Sequence, residues 1–159
     1  MMKIKRKFLI GAIILWMITI FCFSNQVSIT SSKTSGNTIK AIINLIPNTK
    51  HFEEKKKEQI IKTFQPVVRK LAHFSIYALG GILFFAFYRT FSLETRQRVI
   101  YAMLSAMLYA GTDEFHQLFV HGRSAEVRDV WLDTLGAMTG IVLYLIILKI
   151  GKKRKLNIS

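Results

Sequence analysis

The chain of 159 residues has one cysteine, two prolines and only nine acidic residues against 23 basic ones. Cys22, alone inside an apolar run, excludes an intrachain disulfide framework and leaves the redox compartment open. No serine or cysteine stands in an activated-nucleophile motif, which counts against covalent catalysis. Internal repeats, low-complexity tracts and a separate soluble domain are also missing. The shortage of acidic charge leaves a formal net charge of +14 and a pI near 10.2, a balance that in a soluble chain would suggest nucleic acid. Yet 51% of residues are hydrophobic and the mean hydropathy is +0.31. Charged and apolar residues fall in separate blocks, which a soluble core under a mixed-charge surface rarely shows. The reading is an integral membrane protein, with membrane lipids and not nucleic acid as its surroundings.

Four apolar stretches stand out: Phe8 to Phe23, Leu71 to Tyr88, Val99 to Gly111, and Val130 to Ile150. A helix needs roughly 20 apolar residues to cross a hydrocarbon core of about 30 Å. The fourth stretch meets this easily, whereas the third must include polar residues from Thr112 onward. The expected architecture is all-α and polytopic, a single membrane domain over 1–159 with four spans at about 8–25, 69–88, 98–117 and 130–150. The first span follows a basic segment as a secretory signal would. Trp16, Phe21 and Phe23 stand where small residues should mark cleavage, so it reads as an uncleaved anchor.

Lys3, Lys5, Arg6 and Lys7 precede the first span, Arg89, Arg96 and Arg98 join the second to the third, and Lys149, Lys152, Lys153, Arg154 and Lys155 close the fourth. Short basic flanks mark the cytoplasmic side and can anchor on anionic headgroups, so both termini are expected in the cytoplasm. The long loop between the first two spans opposes this with nine basic residues from Lys33 to Lys70, partly offset by Glu53, Glu54 and Glu58. It carries Ile39, Ile42, Ile43 and Ile46 at helical spacing, which predicts an amphipathic helix at the outer surface. A second surface helix is expected over Phe52 to Phe64, leading through Pro66 into the second span.

Polar residues at membrane depth gather toward the outer ends of spans two to four. Arg69, His73 and Tyr77 are four apart on one span; Asp113 shares a face with His116 and Gln117 on the next; Asp129 and Asp133 are four apart on the last. An ionised carboxylate near the bilayer centre costs roughly 2.5–3.5 kcal/mol on insertion scales, so Asp133 needs a partner, and Arg69, His73 and Arg123 are available. Each residue taken singly has a plainer role: His73 as a hydrogen-bonded interior histidine, Asp129 and Arg128 as interfacial charges reaching water. Gly136 and Gly140 form a small-residue stripe for close helix packing, as Gly80 and Gly81 can on span two. The cluster as a whole points to a functional pocket.

Three ordered stretches carry a resemblance. Arg69, Lys70, His73, Tyr77 and Gly80 lie in the first, Asp113, Glu114, His116, Gln117, Gly122 and Arg123 in the second, and Arg128, Asp129, Asp133 and Gly136 in the third. Together they resemble the VanZ-like family, as does Ser24-Asn25-Gln26 after the first span. His121 departs from the proline usual before Gly-Arg in that family and makes the turn less rigid. The resemblance implies a small bacterial membrane protein of a family whose named member is associated with resistance to teicoplanin, a lipoglycopeptide acting on cell-wall precursors outside the membrane. It supplies no reaction.

Two function classes follow. In the first, the protein acts on an anionic envelope lipid or lipid-linked cell-wall intermediate. Arg69 and Arg123 would clamp a phosphate, His116 or His73 would move a proton, and Asp113, Asp129 or Asp133 would orient the imidazole or act as base. Glu114 and Gln117 complete the binding set. In the second, the same pocket only recognises a lipid or antibiotic headgroup. A transporter has little support from four short spans without a repeat. Asp113, Glu114, His116, Asp129 and Asp133 include metal-ligating types, but their spacing is permissive and assigns no metal. Cofactor and oligomeric state are not legible.

Overall fold

A computed structural model describes residues 2–25, 28–45, 54–120 and 126–156, and among these the regular structure is entirely helical. The helices are α1 (Met2–Ser24), α2 (Ser28–Leu45), α3 (Glu54–Tyr88), α4 (Thr95–Gln117) and α5 (Val127–Leu156). A capping box opens α4: the Glu94 side chain accepts from the third-residue backbone N–H, and the Gln97 side chain accepts the Glu94 N–H at 3.0 Å. In α5 the first turn holds Asp129, a negative charge at the positive end of the helix dipole.

Three helices are long and apolar enough to cross a membrane: Ile4–Ser24, Lys55–Tyr88 and Val127–Arg154. The chain is a helical membrane protein. By overall composition α4 falls short of the other three, because its last turns contain Asp113, Glu114, His116 and Gln117. The bundle is apolar on the outside. Ile14, Leu15 and Ile18 of α1, Leu104 and Leu108 of α4, and Leu135, Leu143 and Ile147 of α5 are exposed. Hydroxyls on the same outer surface bond within their own helix, Thr19 to the Leu15 carbonyl and Thr139 to the Leu135 carbonyl, as a lipid-facing surface without water requires.

The structure joins the expected surface helix over 52–64 to the second span. Its described part is one helix, α3, with Pro66 inside it. Its 35 residues extend about 52 Å, well beyond the hydrocarbon core, so the segment with Lys55, Lys56, Lys57 and Lys62 projects past the membrane. Proline removes one backbone donor, but tertiary packing on both sides of it keeps the helix continuous. Ile39 and Ile43 of α2 bury against Ile61, with Ile60 and Val68 alongside. The amphipathic helix expected around Ile39 to Ile46 therefore exists as α2 up to Leu45, and its apolar face is taken by α3; Ile46 lies outside the described residues.

Contacts along the bundle give each helix its direction. Arg6 at the start of α1 donates to the Thr90 carbonyl (2.9 Å) just past the end of α3. Trp16 further along donates to the Ile76 carbonyl (2.8 Å), so α1 and α3 are antiparallel. Tyr88 of α3 meets Ser105 of α4 (2.9 Å) while Tyr77 meets Tyr109, again antiparallel. By contrast, α3 and α5 run parallel, since Lys70 meets Asp129 and Phe85 packs on Tyr144. One end of the bundle thus collects the start of α1, the α3–α4 turn and the end of α5, which are the basic segments. The other collects the end of α4 and the beginning of α5.

Glycine decides how closely α3 and α5 approach. A Cβ on Gly81 would strike the Ala137 carbonyl oxygen, one on Gly136 the Phe74 carbonyl, and one on Gly140 the Ala78 carbonyl. Gly80 faces α1 instead, where a Cβ would overlap the Trp16 ring. Gly81→Ala and Gly140→Ala are expected to destabilise the protein by about 1–3 kcal/mol each, because backbone cannot yield as a flexible side chain can. Gly11→Ala and Gly111→Ala meet nothing within 4 Å and should melt at or above wild type. Thermal melts of detergent-purified protein separate the two pairs, and equal melting of all four variants would contradict the close α3–α5 packing.

Candidate functional site

At the end of the bundle away from the basic segments, α3, α4 and α5 each turn acidic or basic side chains inward. The pairing is a ladder between parallel helices. Lys70 Nζ donates to Asp129 Oδ1 at 2.7 Å and lies 3.8 Å from Glu126 Oε2. One turn deeper, His73 Nδ1 is 3.7 Å from Asp133 Oδ2. Lys70 and His73 are three apart on α3, while Asp129 and Asp133 are four apart on α5, so each rung reuses the same two faces.

Asp133 is the deepest carboxylate, with its side chain 1% exposed against 22% for His73. Neither of its oxygens accepts a hydrogen bond within 3.5 Å among the described residues; its basic partner is His73, across the 3.7 Å pair. Asp113 joins from α4, buried, accepting a hydrogen bond from Gln117 Nε2 at 3.1 Å. Donor atoms of His73, Asp113 and Asp133 all lie within 4.8 Å of one another, so three helices converge on one small volume. Tyr77, one turn below His73, is fully buried, its hydroxyl without a hydrogen-bond partner among the described residues and within electrostatic reach of both aspartates.

A wall of aromatic rings closes the cluster on the α1 side. Trp16 packs edge-on against Tyr77 with centroids 5.5 Å apart and tilts against Tyr109 at 5.1 Å. Its indole N–H is held by the Ile76 carbonyl, and the Tyr109 hydroxyl donates to the Met17 carbonyl at 2.6 Å. Ser24, at the end of α1, is fully buried and its hydroxyl has no hydrogen-bond partner among the described residues.

The residues expected from the sequence separate into groups. His73, Asp113 and Asp133 converge, with Gln117 orienting Asp113. Asp129 is at the same end but held by Lys70. Glu114 is buried and accepts the Glu126 backbone N–H at 3.0 Å, which ties the end of α4 to the start of α5. That makes it an anchor for the turn. His116 leaves the cluster: its ring stacks on Phe21 of α1 at 4.5 Å. Arg69 is half-buried beside Lys70. Arg123 lies outside the described residues. Of the five residues weighed for a metal, only Asp113 and Asp133 come together, and the imidazole beside them is that of His73.

Lys70, Glu126 and Ser24 were not singled out as site residues, although Lys70 shares a helix face with His73 by its three-residue spacing. Trp16→Phe and Tyr109→Phe each remove a donor that crosses between helices. Each is expected to lower stability by about 0.6–1 kcal/mol, the usual scale for interhelical hydrogen bonds in membranes. Chemical or thermal unfolding in detergent checks this, and no loss in either variant would show that the aromatic wall does not brace the cluster.

Fold and site together define a small helical membrane protein with a buried acid–histidine cluster at one end. The sequence profile of the VanZ/LLP1 family matches residues 9–148, nearly the whole chain, and the protein belongs to that family. Comparison with curated proteins and with solved structures finds no match.

Proposed function

We propose that this protein crosses the cell membrane four times with both termini in the cytoplasm. Its acid–histidine cluster, at the outer end, engages the headgroup of an anionic envelope lipid or lipid-linked cell-wall intermediate. The observation that carries the site reading is Asp133: a carboxylate with a 1% exposed side chain, no hydrogen bond to either oxygen among the described residues, and only a long 3.7 Å pair with His73. A membrane protein gains nothing in stability by keeping such a group, so its presence speaks for use.

Two features support α4 as the fourth span. Helices that run parallel and both cross must be joined by a returning segment, and α4 lies antiparallel to α3 between them. Its outward face is also apolar, with Ile100, Leu104, Met107, Leu108 and Phe115 exposed, while its acids and Gln117 point inward. The mean over the helix hides this lipid-facing side. Orientation is supported by the short basic flanks, which lie at the end opposite the cluster; the longer segment with Lys55, Lys56, Lys57 and Lys62 lies at the cluster end, and long loops count for less.

A lipid has a place to lie. An apolar groove of about 420 Å³ is lined by Leu104, Met107, Leu108, Gly111, Thr112, Phe115 and Val130. Its lining includes Thr112, the residue before Asp113 on α4, and Val130, the residue after Asp129 on α5. An acyl chain in the groove would set its headgroup near Lys70, Arg69 and the carboxylates. Through such a lipid a member of this family would alter the response to teicoplanin.

The test expresses wild type, His73→Ala, Asp113→Asn and Asp133→Asn at matched membrane levels, with His116→Ala for comparison, and measures teicoplanin and vancomycin susceptibility alongside envelope-lipid profiles. The three cluster variants should lose the wild-type effect together and His116→Ala should keep most of it. A lipid product missing in the variants marks catalysis, and a teicoplanin effect without any product marks binding. The site reading fails if the three cluster variants behave as wild type.

A further inference from the structure

We propose that His73, Asp113 and Asp133 bind one divalent transition-metal ion of the Mn²⁺ or Zn²⁺ type. The first ground is distance. His73 Nδ1 and Asp133 Oδ2 are 3.7 Å apart, too far for a hydrogen bond. An ion about 2.1 Å from each donor would hold tetrahedral donors about 3.4 Å apart, close to the separation seen. All three donors lie within 4.8 Å, which a small rotation of a carboxylate closes.

Charge is the second ground. Lys70 serves Asp129 and Glu126, and Glu114 receives a backbone N–H. Among the described residues, the buried carboxylates of Asp113 and Asp133 face one imidazole, that of His73, and one neutral amide, that of Gln117. Two positive charges balance this set. The third ground is Asp133 itself, fully buried, whose oxygens have no hydrogen bond among the described residues, with the imidazole of His73 standing off at 3.7 Å and the Asp113 carboxylate beside it. One imidazole with two carboxylates is a mixed nitrogen–oxygen set, which suits Mn²⁺ or Zn²⁺ better than the all-oxygen preference of Ca²⁺ or Mg²⁺. Gln117 would then act as an outer hydrogen-bonding partner that orients a ligating carboxylate.

Such an ion also answers an electrostatic difficulty: five acidic side chains make a poor receptor for an anionic headgroup, whereas an ion held by two of them attracts phosphate. This last consequence rests on the lipid reading above; the ion site does not.

The experiment uses full-length protein in detergent, treated with chelator, desalted and titrated with MnCl₂ by loss of the free-ion EPR signal and with ZnCl₂ by calorimetry, without added lipid. Wild type should take up one ion per chain and melt at higher temperature as the ion is added. His73→Ala, Asp113→Asn and Asp133→Asn should each weaken binding at least about tenfold, Gln117→Ala by about tenfold, and Glu58→Gln, an exposed acid on α3, should leave it unchanged. Absence of saturable binding by wild type overturns the proposal, even where a cluster variant fails to fold; so does uptake that Asp133→Asn and His73→Ala retain in full. Repeating the titration in nanodiscs with and without phosphatidylglycerol separates the two readings. Stoichiometric ion binding that leaves lipid affinity unchanged upholds the ion site and removes the headgroup bridge.

Discussion

Between Phe74 and Gly136, and again between Ala78 and Gly140, no side chain separates α3 from α5; the carbonyl of one helix lies where a β-carbon of the other would be. Parallel helices in this register keep their offset over several turns. The same offset that seats Gly136 and Gly140 also brings Asp129 to Lys70 and Asp133 to His73. Widen that seam by one methyl group and the rungs of the ladder part. A site made of short side chains, aspartate and histidine, depends on such an approach more than one made of arginine or lysine would.

The membrane sets the remaining terms. With lipid outside, apolar side chains lose little by facing outward, so the interior is free to hold alanines, aromatic rings and a few polar groups. In α4, Ala102, Ala106 and Ala110 make room on the inner face, and Asp113, Glu114 and Gln117 continue that face toward one end. The helix falls short of the others when averaged, yet Asp113, Glu114 and Gln117 are buried inside the bundle. Trp16 does the corresponding work for α1, wedged over Gly80 with its N–H satisfied by a backbone carbonyl. Polar groups at this end are mostly accounted for by a hydrogen bond or an ion pair; among the described residues Asp133, Tyr77, Ser24 and His116 each keep a buried polar atom without a hydrogen bond.

Much of this was legible from residue spacing. The small-residue stripe at Gly136 and Gly140 and the need of Asp133 for a partner such as His73 follow from helical periodicity and the cost of buried charge. Periodicity does not choose between neighbours on one face, however. Residues three and four positions from Asp113 flank the same line, and the bundle turns Gln117 inward and His116 toward Phe21. Lys70 and Arg69 stand in the same relation to His73, and it is Lys70 that takes Asp129. Nor does local sequence say what a loop helix will find to pack on: Pro66 reads as a boundary, but Ile39 and Ile43 of α2 give the first half of α3 a partner and the helix runs through.

The account stands on α4 crossing the membrane and carrying the cluster to the outer face. Cysteine labelling in a Cys22→Ser background tests this in intact cells. Ser92→Cys sits in the turn before α4 and Phe119→Cys in the turn after it, both exposed. A membrane-impermeant thiol reagent should label Phe119→Cys from outside and reach Ser92→Cys only after the cells are permeabilised. Equal labelling of both positions before permeabilisation, or of neither, would place the ends of α4 on one side and contradict the four-span account; labelling of Ser92→Cys alone would reverse its orientation.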